Sequence, residues 1–220
     1  MTSFYDAHRV PLRLIYTILT TTHAQGIANM PKSGGVVLAC NHLSMLDPWL
    51  LGVLFPRMLR FMAKEELFQI KPLGWYLRKA GAFPVRRGES DRTAIRTAEA
   101  LLRDGNVVMI FPEGHRSDTA GAQAARAGAV LLAARTNSPI LPVGIAGTEK
   151  LRLKKVEGRS RLALLSRPDV YVSVGKPIVL DSNGKGGTRK AAAEQVMRSI
   201  VALLPPSYHG IYREEGQLTI

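Results

Sequence analysis

The run Val36-Val-Leu-Ala-Cys40 is five apolar residues without a polar break, and it constrains the fold more than any other stretch of the chain. A strand covered on one face alternates apolar with polar residues. An unbroken run of this length instead suits a strand buried on both faces, as in the parallel sheets of layered α/β proteins. Residues 107–111 and 140–145 repeat the pattern.

Helical periodicity fills the intervals. Residues 91–103 put Ala94, Ile95, Ala98, Leu101 and Leu102 on one side and close with Asp104-Gly105. Residues 71–79, 122–136 and 188–204 are also predicted helical, the last stopped by Pro205-Pro206. Residues 60–63 and 170–174 read as strands, and 82–85 as an edge strand or loop, because Pro84 has no N–H for a ladder. Strands alternating with helices predict an α/β fold, and 220 residues suffice for one domain: a mixed sheet flanked by helices. Ahead of it, from Tyr5 to about His23, the apolar residues Val10, Leu12, Leu14, Ile15, Ile18 and Leu19 cluster at helical spacings beside Arg9 and Arg13. The expected organisation is an N-terminal amphipathic, interfacial helix over 1–25 and a globular domain over 26–220.

The charge narrows the partners. Thirty Lys and Arg against 17 Asp and Glu give a net charge of +13, which calls for an anionic partner: lipid surface, phosphorylated metabolite or nucleic acid. Residues 150–168 hold seven Lys or Arg against Glu157. They lack the interleaved aromatics of a strand-binding surface, so nucleic acid is not expected. No stretch reaches the roughly 18 apolar residues of a spanning helix, and the first residues lack a basic signal-peptide region. A cytoplasmic protein docked peripherally or monotopically on the membrane is expected. Cys40 reads as a small buried thiol. His8, His23, His42, His115 and His209 show no metal-ligand spacing, one cysteine cannot build a zinc site, and no Gly-rich nucleotide loop is present, so neither metal nor cofactor is expected.

Two polar segments follow the apolar runs, where open α/β sheets place ligand sites. In Asn41-His-Leu-Ser-Met-Leu-Asp47-Pro, Asp47 and Pro48 start a helix, with Asp47 accepting from its first-turn amides. Its second oxygen can then take one imidazole N–H of His42, leaving the other ring nitrogen to accept a proton from an alcohol. A capping aspartate beside an ordinary turn histidine is the plainer alternative. In Phe111-Pro-Glu-Gly-His-Arg-Ser117, Gly114 permits a tight turn, Arg116 offers a forked donor for phosphate and Ser117 a hydroxyl; a strand-to-helix turn with a solvated arginine is the alternative.

Taken together these segments resemble the 1-acylglycerol-3-phosphate acyltransferase family of glycerolipid acyltransferases. Four blocks occur in order: Asn41, His42 and Asp47 match the family's His-x4-Asp block, Gly81 to Arg87 the second, Phe111 to Ser117 the third and Ile140 to Val143 the fourth. Lys64, between the first two, also fits. His115 departs from the threonine usual in the third block. The resemblance implies a glycerol-3-phosphate acyltransferase-like fold over 26–220 and transfer of a fatty acyl group from acyl-ACP or acyl-CoA to the free hydroxyl of 1-acylglycerol-3-phosphate, making phosphatidic acid for phospholipid synthesis. It implies His42 as general base oriented by Asp47. Arg87 and Arg116 would hold the acceptor phosphate with Glu113 organising them or the glycerol hydroxyls, a helix-start cap being the alternative for Glu113, and Asn41, Lys64, Gly114, His115 and Ser117 would complete the substrate site. Phe61, Met62, Leu67, Phe68, Trp75 and Leu77 are candidates for an acyl groove. The same chemistry on glycerol-3-phosphate or a lyso-aminolipid, and a non-catalytic basic membrane-binding protein, are the competing readings.

Overall fold

The apolar run is a central strand. The structure, a computed structural model, describes residues 4–86, 91–117, 119–151, 153–156, 159–162, 167–180 and 188–213, and over 153–156 and 159–162 the backbone alone. Strand β2 (Val36–Cys40) is completely buried and parallel to both neighbours, β5 (Val107–Ile110) and β6 (Ile140–Ala146). β3 (Leu59–Lys64) pairs parallel with β5, and β4 (Ala82–Val85) closes that side as an edge strand. On the other side β9 (Asp169–Val174) runs antiparallel to β6, and β1 (Thr21–Gln25) lies parallel to β9 at the opposite edge. The seven-stranded sheet is therefore mixed, with five parallel strands ending at one carboxyl edge. β7 (Leu153–Val156) and β8 (Arg159–Leu162) form a separate antiparallel ribbon.

Alternate residues of β2 feed two cores, which is why the run shows no polar break. Val36, Leu38 and Cys40 pack with Tyr16 of α1 (Phe4–Leu19), Leu50 and Leu51 of α2 (Asp47–Leu54) and Leu77 of α3 (Lys71–Lys79). Val37 and Ala39 pack against α4 (Arg92–Arg103), α5 (Gly128–Thr136) and α6 (Arg189–Val201). Each fully buried Val or Leu contributes about 1.5–3 kcal/mol, so the two layers close on the sheet from both sides.

Three expectations are corrected. The N-terminal helix ends at Leu19, and residues 21–25 form an edge strand, because pairing with β9 takes up their backbone groups. The helix expected over 122–136 begins only at Gly128. Residues 122–126 are held out of the helix by bonds elsewhere: Ala122 N donates to Tyr208 O at 2.9 Å, and Arg126 N to Pro112 O at 2.8 Å. Asp47 does not accept from the first-turn amides of α2; its side chain turns back into the preceding loop.

α1 is fastened by its polar side. Tyr5 Oη donates to Gly52 O at 3.2 Å, Arg9 to Val53 O and Phe55 O at 2.9 and 2.8 Å, and Tyr16 Oη to Leu46 O at 2.8 Å. Its apolar side is left outward, with Val10, Leu14 and Ile18 exposed by 71%, 62% and 55%. Among the described residues no helix is long and apolar enough to cross a membrane.

Candidate active site

Pairing of β2 with β5, Ala39 opposite Ile110, sets the two polar segments side by side at the carboxyl edge. Asn41 is the first residue past β2. Its Nδ2 donates to Ile145 O and its Oδ1 accepts from Ile145 N, both at 2.8 Å, so it continues the ladder to β6 with its side chain. It is buried, and its amide is spent on backbone rather than open to a substrate.

His42 follows, and its Nδ1 lies 2.9 Å from Asp47 Oδ2. The same oxygen accepts from Leu43 N and Ser44 N, each at 2.8 Å. Three donors on one carboxylate oxygen fix its position, and the five-residue spacing from His42 to Asp47 is what a tight loop needs to fold back on itself. Because the carboxylate only accepts, the neutral form of the ring carries its proton on Nδ1 and a lone pair on Nε2. Asp47 is fully buried and His42 nearly so. The imidazole lies flat on Phe111, ring centroids 3.8 Å apart and planes 14° from parallel.

The second segment leans on the first. Ser117 N donates to His42 O at 2.8 Å, and Glu113 Oε1 accepts from His42 N at 3.4 Å. Glu113 is buried, and burial pushes its carboxyl up to about 7 against the weaker pull of the His42 amide, with Asp47 nearby raising it further. His115 Nδ1 donates to Glu113 O at 3.0 Å, which tightens the turn at Gly114, φ +76°. Arg116 is exposed and has no ion-pair partner among the described residues. Ser117, expected to present its hydroxyl to substrate, is buried and donates instead to Gly121 O at 2.7 Å, bracing the loop. Lys64 ends β3 and pairs with Glu66 at 3.0 Å. Arg87 lies outside the described residues.

The six residues proposed for an acyl groove do not share one. Phe61, Phe68 and Leu77 are buried in the α1–α3 core, Met62 points into the opposite layer, and Leu67 and Trp75 are exposed. Consecutive residues of a strand face opposite sides of its sheet, so Phe61 and Met62 could not line the same wall.

Two features escaped the sequence. The Phe111 support for His42 sits inside a segment read for its polar residues alone. Arg126, in a stretch read as helix, packs over the turn so closely that a Cβ at Gly114 would stand 2.9 Å from its Nε. Arg126 borders a cleft of about 690 Å³ between α4, α5 and the ends of β3 and β5. No pattern in the sequence marks that cleft, which is assembled from five separate segments, Val85 of β4 among them.

Residues 21–146 match the family model described as Acyltransferase. The chain is 33% identical over 154 residues to a 1-acyl-sn-glycerol-3-phosphate acyltransferase of Bacillus subtilis, covering 70% of this chain and 76% of that protein. It is 32% identical over 160 residues to the chloroplastic 1-acyl-sn-glycerol-3-phosphate acyltransferase BAT2 of Brassica napus, of which the match spans 45%. Among solved structures it is similar to the 1-acyl-sn-glycerophosphate acyltransferase PlsC from Thermotoga maritima, with TM-score 0.69, 26% identity, and coverage of 90% of this chain and 79% of that one.

Proposed function

The chain belongs to the acyltransferase family, and from that membership we propose that it is a 1-acylglycerol-3-phosphate O-acyltransferase acting from the cytoplasmic face of a membrane. It moves a fatty acyl group from acyl-ACP or acyl-CoA to the free hydroxyl of 1-acylglycerol-3-phosphate and makes phosphatidic acid. The observation that carries the reading is the His42–Asp47 contact of 2.9 Å in a nearly closed site at the carboxyl edge of the sheet. A protonated Nδ1 held by Asp47 leaves Nε2 as the base. Nε2 takes the acceptor's hydroxyl proton as that oxygen attacks the thioester carbonyl, and the carrier leaves as its thiol, reprotonated from the imidazolium. Asp47, already fixed by two backbone amides, stabilises the imidazolium without moving.

The acceptor's phosphate meets Arg116, whose fork suits a dianion, with Arg87 as its second partner. Asn41 and Ser117 serve the site as braces of its two loops, whereas His115 and Gly114 shape the turn that presents Arg116. Lipid acceptors reside in the bilayer, and the outward apolar side of α1 supports interfacial docking. The test is an acyl-transfer assay with both thioester donors across a panel of 1-acylglycerol-3-phosphate, glycerol-3-phosphate and a lyso-aminolipid. The highest kcat/KM is expected on 1-acylglycerol-3-phosphate; a preference for either other acceptor overturns the assignment.

A further inference from the structure

We infer that the cleft between α4 and α5 receives the phosphate-bearing pantetheine arm of the acyl donor. This rests on the acyl-transfer reading and adds to it the side from which the thioester arrives.

The cleft's chemistry is that of an amphiphile site. Its floor is apolar, made by Met62, Ile95, Ile110 and Leu132, and its volume of about 690 Å³ falls within the range of small-molecule sites. Its border carries Arg92, Arg96 and Arg126, all exposed and none ion-paired among the described residues. The fourth arginine, Arg135, is held by Glu99 at 2.8 Å. Asp91 is the carboxylate among the described lining residues, and it is committed to backbone: Oδ1 accepts from Thr93 N and Ala94 N at 3.0 Å, and Oδ2 from Arg86 N at 2.9 Å. Three guanidinium groups thus stand without an ion-pair partner among the described residues around an apolar floor, and the first turn of α5, which no side chain caps, borders the same space. A cationic ligand head would not suit it equally: this is a seat for an anion with a less polar body.

Position selects which anion. The lining includes Phe111, Pro112 and Gly114, from the segment whose Phe111 ring carries His42 at 3.8 Å, so a ligand filling the cleft reaches the loop that borders the base. The cleft opens on the α4–α5 side of the sheet, whereas the outward apolar side of α1 belongs to the α1–α3 side. A membrane-borne acceptor and a water-borne donor therefore approach from opposite faces. Arg116, the candidate for the acceptor's phosphate, is not part of the cleft. The phosphorylated pantetheine arm, common to coenzyme A and acyl carrier protein, has the required form: a phosphate, a slender body, and the thioester at its far end.

The test uses the full chain and the variants Arg92→Gln and Arg96→Gln, whose side chains are exposed. Binding of coenzyme A, measured by calorimetry without turnover, is expected to weaken about 10- to 100-fold in each; an unchanged Kd overturns the inference. In turnover, KM for acyl-coenzyme A and for acyl carrier protein thioester should both rise, KM for an acyl-pantetheine lacking phosphate should not, and acceptor KM should stay in place. A rise confined to acyl-coenzyme A assigns the arginines to the nucleotide phosphates and overturns the shared arm. A rise in acceptor KM instead makes the cleft the acceptor's site and overturns it too. Should wild type transfer acyl groups to none of the acceptors yet bind coenzyme A through these arginines, the acceptor reading falls and the cleft's role stands.

Discussion

His42 rests flat on Phe111 at 3.8 Å while Asp47 holds its edge at 2.9 Å, so one residue sets the plane of the ring and the other its rotation within that plane. The base comes from the turn after β2 and its support from the end of β5. Their pairing therefore links sheet register directly to the aim of a nitrogen lone pair.

Replacing His42 by Ala removes the base and should lower kcat by at least about 10³ with folding intact, as judged by circular dichroism. Retention of a tenth of wild-type turnover would sink the dyad. Asp47→Asn should be severely impaired as well, since its Oδ2 organises Leu43 N and Ser44 N besides the imidazole. Phe111→Leu should cost less than either, because it loosens the ring without removing a proton acceptor.

Arg116→Ala should raise KM for the phosphorylated acceptor about 10- to 100-fold, since charge-assisted bonds contribute about 1.5–3 kcal/mol. Its exposure predicts unchanged thermal stability. If donor KM rises and acceptor KM holds, Arg116 faces the wrong substrate.

Glu113 gives the fold a pH dependence of definite sign. Unfolded, its carboxyl titrates near the ordinary 4.5; folded, burial raises it to about 7. Between those values the native state keeps a proton that the unfolded chain has released, so this contribution is complete below the lower value and is lost as pH rises through the upper one. The loss is a few kcal/mol at most, at about 1.4 kcal/mol per unit of difference. Glu113→Gln keeps an acceptor for His42 N but cannot ionise. Denaturant unfolding between pH 4.5 and 8 should show the variant's stability falling less with pH than the wild type's, and parallel curves would rule the titration out.

Legibility followed the physics of each signal. Fully buried strands announce themselves as apolar runs, so Val36–Cys40, Val107–Ile110 and Ile140–Ala146 were readable. Thr21–Gln25 was not, because an edge strand with mostly exposed side chains carries no hydrophobic pattern and owes its form to β9. Within the site, the His42–Asp47 pairing followed from local spacing. The Asn41 amide joining Ile145 spans 104 residues, and the Arg126 side chain over Gly114 depends on how a non-helical loop returns; neither is visible in a neighbouring-residue pattern. Ser117 was misread for a related reason: a hydroxyl next to an arginine looks like a ligand until the Gly121 carbonyl that it meets is known.

α1 turns Val10, Leu14 and Ile18 outward while Tyr5, Arg9 and Tyr16 tie it down, an arrangement that exposes apolar surface on a helix that cannot tilt away. Such a helix can lie in the headgroup region, and each fully buried Leu or Ile there contributes about 1.5–3 kcal/mol with little salt dependence. The basic stretch 150–168, whose side chains mostly lie outside the described residues, would add about 1 kcal/mol per Lys or Arg near an anionic leaflet, screened as the Debye length falls to about 3 Å at 1 M salt. Sedimentation with vesicles separates the two. Neutralising Lys150, Arg152, Lys154 and Lys155 should abolish the advantage of anionic over neutral vesicles and the sensitivity to salt, while activity on detergent-dispersed acceptor remains. Leu14→Glu with Ile18→Glu should instead weaken binding to both kinds of vesicle at every ionic strength. If the charge-neutralised variant sediments like wild type, the basic stretch is no docking surface and α1 carries the attachment; if the α1 variant does so, its exposed apolar side faces something other than lipid.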